Sequence, residues 1–153
     1  MVASPVPQSV IEITHIERLV AAGAIVVCGG GGGIPVVRDA AGRLHGVEAV
    51  VDMDLTSALI AEAIGAEALL LLTDVAAVST DITDPDAPII GRTTPTDLRQ
   101  RRFPTGSMGP KIDAACRFVE STGKMAAIGA LADAEAIVAG AAGTIVTDTG
   151  TYP

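Results

Sequence analysis

Residues 24–37 read AIVVCGGGGGIPVV, a β-branched run that drives straight into five consecutive glycines. An apolar run ending in a glycine loop is how an α/β sheet turns backbone N–H groups toward a charged ligand at a strand's C-terminal edge. Glycine serves there because a side chain would block close approach and because such loops call for φ > 0. Residues 25–27 are therefore expected to form a strand, with Gly30, Gly31, Gly32 and Gly33 as the loop beyond it. The run is not a dinucleotide fingerprint. No frame completes G-x-G-x-x-G, and Pro35 stands where a helix should already be running. Nor is it a P-loop, because no Lys-Ser or Lys-Thr pair follows. A plain flexible turn is the competing reading of this stretch.

The chain of 153 residues is one domain's worth, long enough for a substantial core. Hydrophobic residues make up 49% of it but aromatics only 2%, so the core has to be built from Ala, Val, Ile and Leu. Such a core suits parallel strands between closely packed helices. A net charge of −8 argues against a general nucleic-acid binder or an anionic-membrane binder. Cys28 and Cys116 form no C-x-x-C pair and are expected to stay reduced. No secretory signal opens the chain and no apolar run reaches the eighteen or so residues of a membrane span, so the expectation is a cytoplasmic protein.

Along the chain, residues 11–22 carry Ile13, Ile16, Leu19 and Val20 on one face and predict a helix stopped by Gly23. Residues 38–44 are turn-like. Residues 55–64 predict a second helix stopped by Gly65, with Asp52 or Asp54 at its N-terminus. Residues 68–72 form the clearest buried strand and run into Thr73-Asp74-Val75. A polar loop over 79–88 and a short charged helix or turn over 95–102 precede the loop 103–111, FPTGSMGPK. A helix over 112–122, a strand over 125–128, a helix over 131–138 and a strand over 144–146 complete the pattern, with 148–153 as a loose tail. Alternation of this kind predicts an α/β fold with a parallel or mainly parallel sheet between helix layers.

Ligands of such sheets bind beyond the C-terminal strand ends. The glycine loop, Asp52 to Asp54, and Thr73-Asp74-Val75 are expected to converge there. Lys111, at the start of a helix, is at odds with the helix dipole unless it joins the backbone N–H groups to clamp a phosphate. Helix capping is the structural alternative for the aspartates, and a solvated surface residue is the alternative for Lys111. His15 and His45 have no partner spacing for a metal, and no metal site of the protein's own is expected.

Taken together, SPVPQSVIEITHIERLV, IVVCGGGGGIPVV, GVEAVVDMDLTSALIAE, LLLLTDVAAV, GSMGPKIDAACRFVESTGK and AIGALADAEAIVAGAAGTIV resemble carbamate kinase of the amino-acid-kinase superfamily, in order and over nearly the whole chain. The resemblance implies a three-layer αβα sandwich, one domain over 1–153 that matches the family's C-terminal, nucleotide-binding half. It implies exchange of ATP and carbamate with ADP and carbamoyl phosphate, Mg2+ being carried by the nucleotide, within arginine and carbamoyl phosphate metabolism. A homodimer, or a partner supplying the N-terminal half, is implied as well. By position, Gly30 to Gly33 would face the acceptor end. Thr73, Asp74, Val75, Met108 and Lys111 would lie at the nucleotide. Lys111 would neutralise the transferring phosphate, and Asp54 would orient the lysines around it.

The chain departs from the family pattern in definite places. The family's N-terminal half carries a first strand, a glycine-asparagine loop under the phosphates, most of the acceptor pocket and a lid with a further lysine. The resemblance does not reach it. Met53 stands where the family reads lysine in Asp-Lys-Asp. Ala76 and Ser79 replace an acidic or amide residue and a tyrosine, and Gly29 replaces a common serine. The expectation is a carbamate kinase-like phosphotransferase that is weak or inactive by itself. The alternative is a non-catalytic nucleotide-binding module or interaction subunit of the same descent.

Overall fold

Four strands make the central sheet in the order β3-β7-β8-β6. In chain order the elements are α1 (Ile13–Ala21), β1 (Val36–Arg38), β2 (Leu44–Gly46), α2 (Met53–Ala63), β3 (Ala68–Thr73), β4 (Val78–Ser79), β5 (Ile89–Ile90), β6 (Arg92–Thr93), α3 (Pro95–Arg99), α4 (Met108–Thr122), β7 (Met125–Ala130), α5 (Ala134–Val138) and β8 (Thr144–Val146). The computed structural model describes residues 2–81, 84, 86–104 and 106–150. Part of the polar loop expected over 79–88, and the end of the tail expected over 148–153, lie outside the described residues.

β3 and β7 pair in parallel over six residues, Ala68 opposite Met125 through Thr73 opposite Ala130. β6 and β8 are also parallel, whereas β7 and β8 run antiparallel. The mainly parallel sheet is as expected. Both faces of β3 are packed because its side chains alternate. Leu69 and Leu71 join Ala126 and Ile128 in the main core, beneath α2 and α4. Leu70 and Leu72 pack on the opposite face around Ala127, Ile137 of α5 and Ile145. Helices thus lie on both sides of the sheet, which gives three αβα layers. The scarcity of aromatics shows in how α4 approaches the sheet: Ala114, Ala115 and Cys116 are wholly buried, beside the ring of Phe118.

Local chemistry sets the element ends. After α1, Gly23 N–H donates to the Val20 carbonyl and Ala24 N–H to that of Leu19, the paired bonds of a Schellman stop. Thr94 caps α3 by accepting from Asp97 N–H at 3.1 Å. The expected helix over 112–122 begins four residues earlier, at Met108. Gly109-Pro110 reads as a breaker in sequence, but proline in a first turn forfeits no helical hydrogen bond, because those N–H groups lack intrahelical partners anyway. The turn-like stretch over 38–44 closes a small antiparallel hairpin between β1 and β2, with Asp39 accepting from Arg43 and His45. The segment expected as a helix over 131–138 divides into a 3₁₀ turn, Leu131–Asp133, and α5.

One expectation is overturned. Residues 25–27 form no strand: none of them has a ladder partner among the described residues, and Ile25 and Val27 point outward. A strand exists only where a neighbour takes up its N–H and C=O groups. The β-branched residues extend this segment, but no described neighbour supplies the ladder.

Thr144 locks the sheet to the hairpin of β4 and β5. Its hydroxyl, wholly buried, accepts from Val78 N–H at 2.9 Å and donates to the Ile90 carbonyl. Thr144→Val keeps the shape but leaves two buried backbone groups unpaired, each costing about 1–3 kcal/mol. Urea unfolding is expected to show a loss of about 2 kcal/mol or more. A loss under about 0.5 kcal/mol, the size of a neutral surface change, would contradict this role.

Candidate phosphate-binding site

The N-terminus of α2 is built by Asp52, whose Oδ1 accepts from the N–H groups of Asp54 (2.9 Å) and Leu55 (3.0 Å). The capping reading therefore holds for Asp52. Its carboxylate serves the helix. Asp54, in the first turn, turns its carboxylate to α4 instead. There Lys111 Nζ donates to Asp54 Oδ1 at 3.0 Å and to Oδ2 at 3.2 Å. The lysine side chain is only 18% exposed and the aspartate 13%, so this is a largely buried ion pair rather than a surface one.

The glycine loop docks on the same helix end. Gly30–Gly32 form a 3₁₀ turn, with Gly29, Gly31, Gly32 and Gly33 all at positive φ. Gly32 sets the approach: a Cβ there would lie 2.0 Å from the Val51 carbonyl oxygen, at a φ of +86°. Thr56 Oγ1 donates to the Gly32 carbonyl at 2.9 Å and also faces the Asp52 carbonyl at 3.1 Å. Thr56 is buried and escaped the sequence reading. The only signal for it was its place one turn after the capping aspartate.

Three of the four expected segments are thus brought together: the glycine loop rests on the start of α2, and α2 holds Lys111 through Asp54. The fourth belongs to β3. Thr73, Asp74 and Val75 lie at the carboxyl end of β3, where Thr73 Oγ1 donates to Asp74 Oδ1 at 3.1 Å. No hydrogen bond among the described residues ties them to Lys111. Met108 is packed into the main core at the first position of α4. Met53 is 56% exposed beside Asp54. Chemically, the loop offers backbone free of side chains, and Lys111 offers a charge held in place.

Two other features lie apart from this site. A cavity of about 350 Å³ opens between residues 6–7, α2 and α4, lined in part by Leu59, Glu62, Arg117 and Ser121. It includes none of the glycines, nor Asp54 or Lys111. On the far part of α4, Arg99 bonds Glu120 and Asp113, and the guanidinium holds the Glu120 carboxyl below its ordinary range. His15 and His45 join no group of metal-ligating side chains among the described residues.

A sheet clasped by helices, with a glycine loop at the start of α2 and an anchored lysine in the first turn of α4, defines an α/β protein of the kind that binds ligands beyond its strand ends. The chain belongs to the amino acid kinase family, whose model matches residues 3–129. Among individual proteins it is similar to carbamate kinases. It is 49% identical to that of Rhizobium meliloti over 151 residues, 97% of this chain and 47% of the relative. To that of Haemophilus influenzae it is 45% identical over 147 residues, 96% of this chain and 47% of the relative. Carbamate kinase from Giardia lamblia bound to AMP-PNP superimposes with a TM-score of 0.89 at 32% identity, over 96% of this chain and 55% of that one. The chain spans about half the length of the curated relatives it matches.

Proposed function

We propose that this chain is the nucleotide-binding half of a carbamate kinase-like phosphotransferase, acting on ATP and carbamate or, in reverse, ADP and carbamoyl phosphate. The observation that carries the reading is the Lys111–Asp54 pair beside the glycine loop. Phosphoryl transfer asks a protein mainly for positioning and for cations at the transferring oxygens. Lys111 supplies the cation, Asp54 aims it, and the backbone of Gly30 to Gly33 receives the acceptor side. Thr73, Asp74 and Val75, with Met108, border the nucleotide. Mg2+ enters as part of the nucleotide substrate. The chain is assigned to the cytoplasm and to carbamoyl phosphate metabolism. Turnover also draws on the part of the relatives that is not matched here.

The same chain without turnover, as a nucleotide-binding or interaction module, is favoured by Met53, open to solvent at the position where the resemblance to carbamate kinase implies lysine. Met53→Lys separates the two readings. In a complex of both halves, ATP formation from carbamoyl phosphate is expected to rise about 10²-fold, the usual worth of one preorganised charge contact. An unchanged rate would remove Met53 from the phosphate site. The function itself is tested by calorimetric titration with MgADP. Saturable one-to-one binding supports it, and no binding at millimolar nucleotide would end it.

A further inference from the structure

Gly129 is a glycine that its own backbone does not require. It sits in β7 in an unbroken parallel register, opposite Leu72 of β3, and its φ is not positive. A glycine inside a strand forfeits side-chain packing. Where no bulge or left-handed turn accounts for it, the close approach of another backbone does. That approach is present here. A Cβ on Gly129 would lie 2.7 Å from Ile137 Cδ1, 3.0 Å from the Ala76 carbonyl oxygen and 3.1 Å from Gly143 Cα. The first is the end of a flexible side chain. The other two are backbone, and Ala76 directly follows Thr73, Asp74 and Val75.

The stretch after β3 is therefore held by the strands beside it. Thr73 ends the ladder opposite Ala130, the Ala76 carbonyl lies over Gly129, and Val78 N–H donates to Thr144 Oγ1 of β8 at 2.9 Å. Ala77 and Val78 are buried, whereas Asp74 and Val75 are exposed. Only these two residues separate the end of the ladder from the carbonyl over Gly129, so the exposed bridge has little chain with which to move. We infer that Gly129 is a positioning residue of the nucleotide site: lacking a side chain, it seats the Ala76 carbonyl and so fixes Asp74 and Val75 beyond the end of β3. The seat stands on geometry; its use for nucleotide rests on the proposed function. A methyl at Gly129 makes the Ala76 carbonyl give by a few tenths of an ångström. A misplacement of about 1 Å can cost about 10²-fold, so the expected effect is about tenfold.

The test compares the full chain with Gly129→Ala, Ile137→Val and the two combined. Ile137→Val removes Cδ1, the nearest atom to the added methyl, and leaves both backbone approaches in place. Amide spectra of the isotope-labelled chain without nucleotide read the seat. Gly129→Ala should move the Asp74, Val75 and Ala77 resonances, with or without Ile137→Val, and Ile137→Val alone should not. Calorimetric titration with MgADP reads its use. Affinity should fall about tenfold in Gly129→Ala and stay low in the double variant, while stability to urea recovers in part there. A merely structural glycine would bring affinity and stability back together. Should Gly129→Ala alone fail to fold, the double variant carries both readouts. Unmoved Asp74 and Val75 resonances would overturn the seat. Affinity that is unchanged, or that returns with Ile137→Val, would overturn the positioning role. If the unsubstituted chain binds no MgADP, the proposed function fails and the positioning role with it, while the amide spectra still decide the seat.

Discussion

Lys111→Ala is expected to lower MgADP affinity at least about 100-fold and phosphoryl transfer in the completed complex by about 10²–10³. The reason is geometric. Lys111 is held by both carboxylate oxygens of Asp54, in a mostly buried setting, and Asp54 lies two residues before Thr56, which holds the glycine loop on α2. A charge fixed in this way needs little reorganisation when an anion arrives. The same burial complicates the variant, because Asp54 would be left inside without its counter-charge, at a cost of about 3–5 kcal/mol. A second variant separates the two effects. Asp54→Asn combined with Lys111→Met removes both charges and should recover most of the stability lost by Lys111→Ala, as a neutral replacement of a buried pair commonly does. Nucleotide binding should not return with it. Calorimetry and urea unfolding on the three proteins decide the matter. Wild-type affinity in Lys111→Ala would remove this lysine from the site. Recovery of binding in the double variant would make the pair purely structural.

Gly32→Ala should cost about 2–5 kcal/mol and break the loop's docking on α2. Its φ of +86° opposes an L side chain by about 1–2 kcal/mol, and the added methyl would meet the Val51 carbonyl oxygen at 2.0 Å. That oxygen belongs to backbone at the start of α2, so it cannot swing aside as a flexible side chain would. Gly31→Ala is the matched control. Its φ is +65°, yet open space surrounds its Cβ, so only the conformational cost of about 1–2 kcal/mol remains. Urea unfolding should separate the two variants by 1 kcal/mol or more. Equal losses would mean that the approach to Val51 is not what requires glycine there. The Thr56 hydroxyl would lose the Gly32 carbonyl only in the first variant, keeping that of Asp52.

Much of this arrangement could be read along the chain. The capping aspartate Asp52, the buried run of β3 and the glycine after each of α1, α2 and α4 are local signals, complete within a few residues. The antiparallel β7–β8 pairing and the division of the chain between two core clusters were beyond such signals, because partners distant in sequence decide them, such as Leu70 and Ile145. The start of α4 was hidden by Gly109-Pro110, whose meaning depends on lying in a first turn and on the close approach of Gly109 to the Pro104 carbonyl. Thr56 looked like any polar helix residue until the glycine loop was seen resting on it.

Composition and periodicity alone required a small-residue α/β core, and the five glycines required a backbone loop free of side chains. Those outcomes follow from hydrophobic period and steric freedom, which belong to the chain itself. Only the tertiary structure could decide which charges meet. Lys111 and Asp54 lie 57 residues apart and pair because α2 and α4 pack on the same sheet face. Only the tertiary structure could deny residues 25–27 their strand. A strand's hydrogen bonds are made with its neighbour, and a run of isoleucine and valine cannot itself supply one.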